Sequence, residues 1–193
     1  MKLSLLVFAA LCLGAAAAVA APVTYVATLN GPTEGTISPG TGTGLVIFDP
    51  TANTLFVSES FSGLLSPTTA SHIHCCTAAP LTGSAGVATQ LPSFSGFPLG
   101  VTSGSFSQTF DMTQASSWNP AFITANGGTT AGAEAALAAG LAAEEAYLNI
   151  HTMQFPGGEI EGFLTQVPEP GTLGLALFGV MGLLARRLKG RTS

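Results

Sequence analysis

Apolar and polar residues alternate along several short runs of the chain, and this period of two predicts β-strands that bury one face. The clearest run is residues 54–61, where one set of side chains, Leu55, Val57, Glu59 and Phe61, alternates with Phe56, Ser58 and Ser60. Comparable runs occupy residues 23–29, 44–48, 70–74, 103–112, 147–152 and 160–164. Turn residues separate these runs, so the sequence predicts a mainly β fold, an antiparallel β-sandwich or barrel.

Four segments between the strands have other patterns. Residues 113–122 and the alanine-rich residues 131–146 predict short helical insertions, the second bent or broken near Gly140 and directing Leu137 and Leu141 toward the sheet. Residues 31–42 are rich in Gly, Pro, Thr and Ser and predict a loop. Residues 77–104 form a long excursion, which we interpret as a rigid surface loop fixed by Phe94 and Phe97. A functional loop is the alternative, since loops of this length often carry function.

Residues 146–163, AYLNIHTMQFPGGEIEGF, contain a predicted strand, a turn at Pro156-Gly157-Gly158 and a returning strand. This stretch resembles the closing signature of a CHRD (chordin-type) domain, and Ala70-Ser71-His72-Ile73-His74 resembles an earlier signature of the same family. One residue departs from the pattern. Glu161 stands where the family usually has arginine, so no role of that arginine carries over to this chain.

The N-terminus has the features of a secretory signal peptide. Lys2 precedes an apolar run at residues 3–13, and Ala18-Val19-Ala20 supplies the small residues that a signal peptidase requires. We predict cleavage after Ala20 and export of the remaining chain.

The C-terminus carries three consecutive features, and their order resembles the PEP-CTERM sorting signal of Gram-negative bacteria. Pro168-Glu169-Pro170 precedes an apolar, transmembrane-like helix at residues 171–185, and a basic cluster follows, made of Arg186, Arg187, Lys189 and Arg191. The resemblance implies transient anchoring in the inner membrane, processing by an exosortase and delivery to the cell surface or extracellular matrix. A plain single-span anchor is the alternative, and it predicts the same orientation. The predicted organisation is therefore a signal peptide at 1–20, a CHRD domain at 21–166 and a sorting segment at 167–193.

Charge is distributed very unevenly. Residues 21–170 contain all ten carboxylates of the chain and neither lysine nor arginine. Such a domain repels phosphate backbones, which excludes nucleic acid as a partner. Exopolysaccharide or other surface proteins are the partners that we expect.

Three histidines are candidate metal ligands. His72 and His74 lie two apart on one strand and share a face, and His151 lies on a strand that could pair beside them. Neutral imidazoles suit zinc or copper. The resemblance equally implies a structural role, with the rings hydrogen-bonded to backbone or threonine. The adjacent Cys75 and Cys76 could form a vicinal disulfide, which we favour, pair between molecules, or act as soft ligands beside His74.

Signals for catalysis are weak. The chain lacks the Gly-x-Ser-x-Gly elbow of a serine hydrolase, and Glu159 and Glu161, placed on one strand face, are either two solvated side chains or an acid–base pair. We therefore predict a non-catalytic surface or matrix protein without a cofactor. The alternative is a zinc- or copper-binding protein, even a metal-dependent oxidoreductase, that uses His72, His74 and His151. A metal site requires the imidazoles to converge, whereas an adhesive module should expose an aromatic or apolar patch.

Overall fold

The computed structural model describes residues 21–168. The predicted signal peptide, Glu169, Pro170, the apolar segment at 171–185 and the basic cluster lie outside the described residues. Within residues 21–168, no helix is long and apolar enough to cross a membrane.

The domain is mainly β, as predicted, and its described strands form one antiparallel sheet that curls into a half-barrel. The strands are β1 (Val23–Asn30), β2 (Thr41–Asp49), β3 (Thr54–Ser62), β4 (Thr68–His74), β5 (Gly104–Asp111), β6 (Tyr147–Thr152), β7 (Ile160–Phe163) and β8 (Thr165–Gln166). Their order across the sheet is β4-β6-β7-β1-β2-β3-β5, and β8 pairs with β1. The two histidine-bearing strands, β4 and β6, are therefore neighbours at one end of the sheet.

Three α-helices and one 3₁₀ turn connect the strands in the described chain. They are α1 (Gly31–Glu34), α2 (Pro120–Ala125), α3 (Thr130–Ala142) and the 3₁₀ turn Ala115–Ser117. The loop prediction for residues 31–42 was wrong at both ends. Asn30 caps a short helix there by accepting from the Thr33 backbone N–H at 2.9 Å, and β2 already begins at Thr41.

Helix α3 is continuous through Gly140 and ends at Ala142, whereas the sequence predicted a helix to residue 146 with a bend or break near Gly140. A glycine costs a helix only about 1 kcal/mol relative to alanine, which tertiary packing readily overrides. Here a Cβ atom on Gly140 would collide with both Sγ atoms of Cys75 and Cys76. The glycine therefore lets the helix approach these sulfurs, while Leu137 and Leu141 are fully buried, as predicted.

The concave face of the sheet forms the core. On β3 the alternation has the predicted outcome, since Leu55, Val57, Glu59 and Phe61 are buried. Glu59 differs from the other three residues because its side chain is polar. Ser71 Oγ of β4 lies 2.9 Å from each of its carboxyl oxygens. Because β3 and β4 are far apart in the strand order, this contact crosses the interior of the half-barrel. Burial raises the pKa of Glu59 to about 8, so the carboxyl is neutral at pH 7.

The excursion between β4 and β5 runs along the outer edge of β4. The Ala88 N–H donates to Ile73 O at 2.9 Å, and the Phe94 N–H donates to Ser71 O at 3.1 Å. Phe94 and Phe97 are buried against the core, as predicted for a fixed loop. The loop thus covers an edge strand that would otherwise expose its backbone donors and acceptors.

Candidate metal centre

The three histidines meet on one face of the β4–β6 pair. In the antiparallel register, His72 lies opposite Asn149, His74 opposite Tyr147 and Ala70 opposite His151. Alternation along each strand then places His72, His74 and His151 on the same side of the sheet. The three ring centroids are 5.1 to 5.9 Å apart.

One nitrogen of each ring takes part in the cluster, and these three atoms lie within 4.8 Å of one another. The closest pair is His74 Nε2 and His151 Nε2, at 3.3 Å. Tetrahedral zinc with bonds of about 2.0–2.1 Å separates its ligand nitrogens by roughly 3.3 Å. This pair therefore already has the spacing that two ligands of one zinc ion require.

One nitrogen of each ring makes a hydrogen bond to a backbone carbonyl. His72 Nε2 contacts Pro92 O at 2.8 Å, His74 Nδ1 contacts Ala85 O at 2.9 Å, and His151 Nδ1 contacts Pro156 O at 3.0 Å. A carbonyl oxygen can only accept, so each of these ring nitrogens carries the proton. The lone pairs of the neutral rings consequently belong to His72 Nδ1, His74 Nε2 and His151 Nε2.

The rings are held in this neutral state. Burial is the main cause that lowers the pKa of His72 to about 4 and the pKa of His74 to about 4, and it also lowers the pKa of His151. The His72 Nδ1 atom is buried and lacks a hydrogen-bond partner anywhere in residues 21–168. The ring of His74 is further positioned by Tyr147, which stacks on it with centroids 5.0 Å apart. Each of the three clustered imidazoles therefore keeps one unprotonated nitrogen, and those of His74 and His151 face each other.

Comparison with protein families identifies the domain. The family model described as "CHRD domain" matches residues 25–164, and a second, described as "PEP-CTERM protein-sorting motif", matches residues 166–189. The chain belongs to the CHRD family. It is an exported protein that carries an exosortase sorting signal for the cell surface. The search of curated proteins found no match, and the search of solved structures found none either.

The two cysteines of the CHRD domain are bonded to each other. Cys75 and Cys76 form a disulfide immediately after the histidine strand, with Cα atoms 3.0 Å apart. Their sulfurs pack against Gly140 of α3, whereas His74 faces Tyr147. In this state neither sulfur is available as a soft ligand beside His74.

The two glutamates of the closing hairpin have separate environments. The Glu159 carboxylate accepts from Ser38 Oγ and the Leu65 N–H, each at 2.6 Å, and from Thr152 Oγ at 2.7 Å. Glu161 instead lines a cavity with Glu34 of α1, and burial and this neighbouring carboxyl raise the pKa of Glu161 to about 8. Both side chains are buried, so the expectation of two solvated carboxylates is wrong. They do not form an acid–base pair with each other, because each is engaged with different partners.

Sequence reasoning missed the groups that orient the histidines. Two of the three carbonyl acceptors, Ala85 and Pro92, belong to the long excursion between β4 and β5, and the Ala85 N–H donates to Tyr147 Oη at 3.1 Å. Backbone acceptors carry no residue-type signal, so only the length of the excursion indicated a role. Glu34 was missed because it lies in the segment predicted as a loop.

Proposed function

We propose that this CHRD domain is a non-catalytic metal-binding module that holds one zinc or copper ion at His72, His74 and His151 on an exported, surface-sorted protein. The observation that carries the proposal is a cluster of three neutral histidines with one nitrogen of each ring within 4.8 Å of the others, while each ring also donates to a backbone carbonyl. This is the usual outer-shell arrangement of metal-ligating histidine.

A purely structural histidine cluster would satisfy both nitrogens of each ring with hydrogen bonds. Here His74 Nε2 and His151 Nε2 place two lone pairs 3.3 Å apart, and His72 Nδ1 is an orphan among the described residues. Lone pairs that face one another repel unless an electrophile lies between them. The lowered histidine pKa values disfavour a proton in that position at neutral pH, so a metal cation is the better candidate.

The spacing of the three ring nitrogens fits zinc or copper after the rings move slightly closer together. Three atoms within 4.8 Å of one another lie within about 2.8 Å (4.8 Å divided by √3) of a common centre, and bonds of about 2.0–2.1 Å require each ring to move by less than 1 Å. Three neutral nitrogen ligands suit both metals and are poor ligands for calcium or magnesium. A fourth position remains for water or a small ligand.

Burial supports a binding role over an enzymatic one. The three histidines are only 5 to 8% exposed, so a metal ion among them is shielded from any large substrate. The alternative of an adhesive module predicted an exposed aromatic or apolar patch. In the described part of the chain, the exposed large hydrophobic side chains are aliphatic or thioether groups such as Ile37 and Met153, so only the aromatic form of such a patch is absent.

The sorting signal indicates the cellular location in which the metal-binding module acts. We infer that signal peptidase and exosortase process the protein in a Gram-negative host and deliver it to the surface or extracellular matrix. There the domain, free of lysine and arginine between residues 21 and 170, meets polysaccharide or other surface proteins. Metal held on the exported module would then be retained at the cell surface.

The test is metal content by mass spectrometry of the protein exported from the full chain without a histidine tag, beside a His72→Ala/His151→Ala variant. We expect about one zinc or copper per chain in the wild type and less than a tenth of that in the variant. The control for altered packing is Tyr25→Phe, which changes a buried tyrosine on β1. A folded wild type that stays metal-free in zinc- and copper-supplemented medium would make the histidines structural, and the function would then rest on surface or matrix partners.

A further inference from the structure

An open groove crosses the outer face of the sheet, on the side opposite the core. It has a volume of about 680 Å³ and lies mainly over β1, β2 and β3. The antiparallel register aligns Thr28 with Thr43, Thr43 with Ser60, and Ser60 with Ser105, and all four residues line the groove. Their side chains are exposed. They therefore form one row of hydroxyl groups across four strands, with about 4.8 Å between neighbouring strands.

The hydroxyl groups of this row keep hydrogen-bonding capacity for a ligand. Thr43 Oγ1 and Ser60 Oγ lie 2.9 Å apart and share one hydrogen bond. Within residues 21–168, the hydroxyl groups of Thr28 and Ser105 make no hydrogen bond. Because each hydroxyl offers one donor and two acceptor sites, even the bonded pair can accept further hydrogen bonds. The row is thus able both to donate to a ligand and to accept from it.

An aliphatic strip lies beside the hydroxyl row, two residues away along each strand. Val26 of β1 is aligned with Leu45 of β2, and both line the same groove. Val26 is 41% exposed, so its methyl groups are available for contact. The groove therefore combines hydroxyl groups with an aliphatic surface. A sugar ring has the same two characters, because its hydroxyl groups project from the edge while its C–H groups form the two faces.

Charge restricts the ligand of this groove to a neutral one. Among the lining residues the one ionisable side chain is Glu59, and its carboxyl turns into the core, where it contacts Ser71. Residues 21–170 contain neither lysine nor arginine, so a sulfated, phosphorylated or uronate-bearing glycan meets no cation and is repelled by the acidic domain. Protein interfaces are enriched in aromatic residues and arginine at their centre, whereas this groove is lined mainly by hydroxyl and aliphatic groups.

We propose that the groove binds an extended neutral polysaccharide, whose chain lies along the hydroxyl row and across the strands. The row spans about 14 Å, so consecutive sugar units contact it rather than a single sugar. The proposal rests on the surface delivery inferred under the proposed function and selects polysaccharide from the partners named there, but it requires no metal at the histidines. Phe163, which lines one end of the groove, packs against Tyr147 with ring centroids 5.2 Å apart and separates the groove from the histidine centre.

The test is affinity electrophoresis of the exported wild-type protein in native gels that contain a neutral polymer, hydroxyethyl cellulose or galactomannan, beside gels that contain the polyuronate alginate. We expect retardation in at least one neutral gel and none in alginate. Thr28→Val/Thr43→Val removes two hydroxyl groups with little change of shape, so the apparent Kd for the neutral polymer should rise at least fivefold. The matched control is Thr109→Val, which changes an exposed threonine of β5 outside the groove and should be retarded as the wild type is.

Three results would overturn the groove as a polysaccharide site. The first is a wild type that migrates without retardation in both neutral gels, and the second is equal retardation of Thr28→Val/Thr43→Val and the wild type. The third is a dimer in sedimentation velocity that this variant abolishes, which would assign the face to a second copy of the chain. The outcome is separable from the metal proposal, because the groove variant should keep its zinc or copper and His72→Ala/His151→Ala should keep its retardation.

Discussion

The Nε2 atom of His74 lies 3.3 Å from the Nε2 atom of His151, and each is the unprotonated nitrogen of its ring. Carbonyl acceptors at Ala85 and Pro156 fix the proton of each ring on Nδ1. The backbone thus sets the protonation state of the centre by itself, which would reduce the reorganisation that the proposed metal binding requires.

The tautomers can be read directly by nitrogen-15 NMR of the metal-free protein. At pH 7 we expect His74 and His151 to be protonated on Nδ1 and His72 on Nε2, because those atoms donate to carbonyl groups. All three rings should be neutral. An Nδ1-protonated or charged His72 would contradict the assignment, since its Nδ1 would then be unable to bind a metal.

Tyr147 is expected to act as a positioning residue for His74. Its hydroxyl accepts from the Ala85 N–H at 3.1 Å, on the same residue whose carbonyl orients His74. Tyr147→Phe keeps the stacked ring but loses this bond and the one that the hydroxyl donates to Ala85 O at 3.3 Å, so metal affinity should fall about tenfold with the stoichiometry unchanged. Competition with a chromophoric chelator measures the change. Equal metal affinities for this variant, the wild type and Tyr25→Phe would show that Tyr147 does not position His74 for metal binding.

Glu59 should make the stability of the domain depend on pH. Its pKa is about 8 in the folded protein, against an ordinary glutamate value in the unfolded chain. Between these two values the folded state holds one more proton, so stability is greatest at acidic pH and declines as pH rises through 8. Glu59→Gln removes this decline. We expect the variant to have a higher Tm than the wild type at pH 8.5 and a similar Tm at pH 5.

Thermal unfolding across pH 5 to 8.5 checks this expectation. A variant that is destabilised equally at every pH would mean that the Ser71 contact depends on the carboxyl itself and that no proton is held there.

Gly140 should be intolerant of a side chain. A Cβ atom would meet the sulfurs of Cys75 and Cys76, so Gly140→Ala is expected to destabilise the protein by about 1–3 kcal/mol in urea unfolding, despite the better helix propensity of alanine. Gly157→Ala is the matched control, because a Cβ there meets no atom within 4 Å. In a Cys75→Ala/Cys76→Ala background the penalty should largely disappear. A penalty that is unchanged without the sulfurs would place the clash elsewhere.

The sequence predicted the sheet well where a local period decides the structure. The alternation in β3 assigned Leu55 and Val57 to the core, and the spacing of His72 and His74 put both on one face. The meeting with His151 depends on the pairing of β4 with β6, which no local pattern specifies. The Ala85 and Pro92 acceptors depend on how a loop without periodicity lies along an edge strand.

Local sequence propensity gave the wrong expectation at two residues whose environment is set by tertiary contacts. Gly140 signals a break in isolation, but its lack of a side chain serves the packing of α3 on the disulfide. The charge of Glu161 suggested that its side chain is exposed to solvent, but α1 covers the strand that carries it. Glu34 of α1 lies beside Glu161 although the two residues are far apart in the sequence. Both residues break a local rule and have a compensating contact in the folded chain.

The most direct test of the central proposal is a crystal structure of the exported protein grown with zinc or copper, with anomalous difference maps measured on both sides of the metal edge. We predict one strong peak about 2.0–2.1 Å from His72 Nδ1, His74 Nε2 and His151 Nε2, with the bonds to Pro92, Ala85 and Pro156 preserved. An empty centre, with the rings as close as they are here and the metal bound only at the surface, would contradict the proposal.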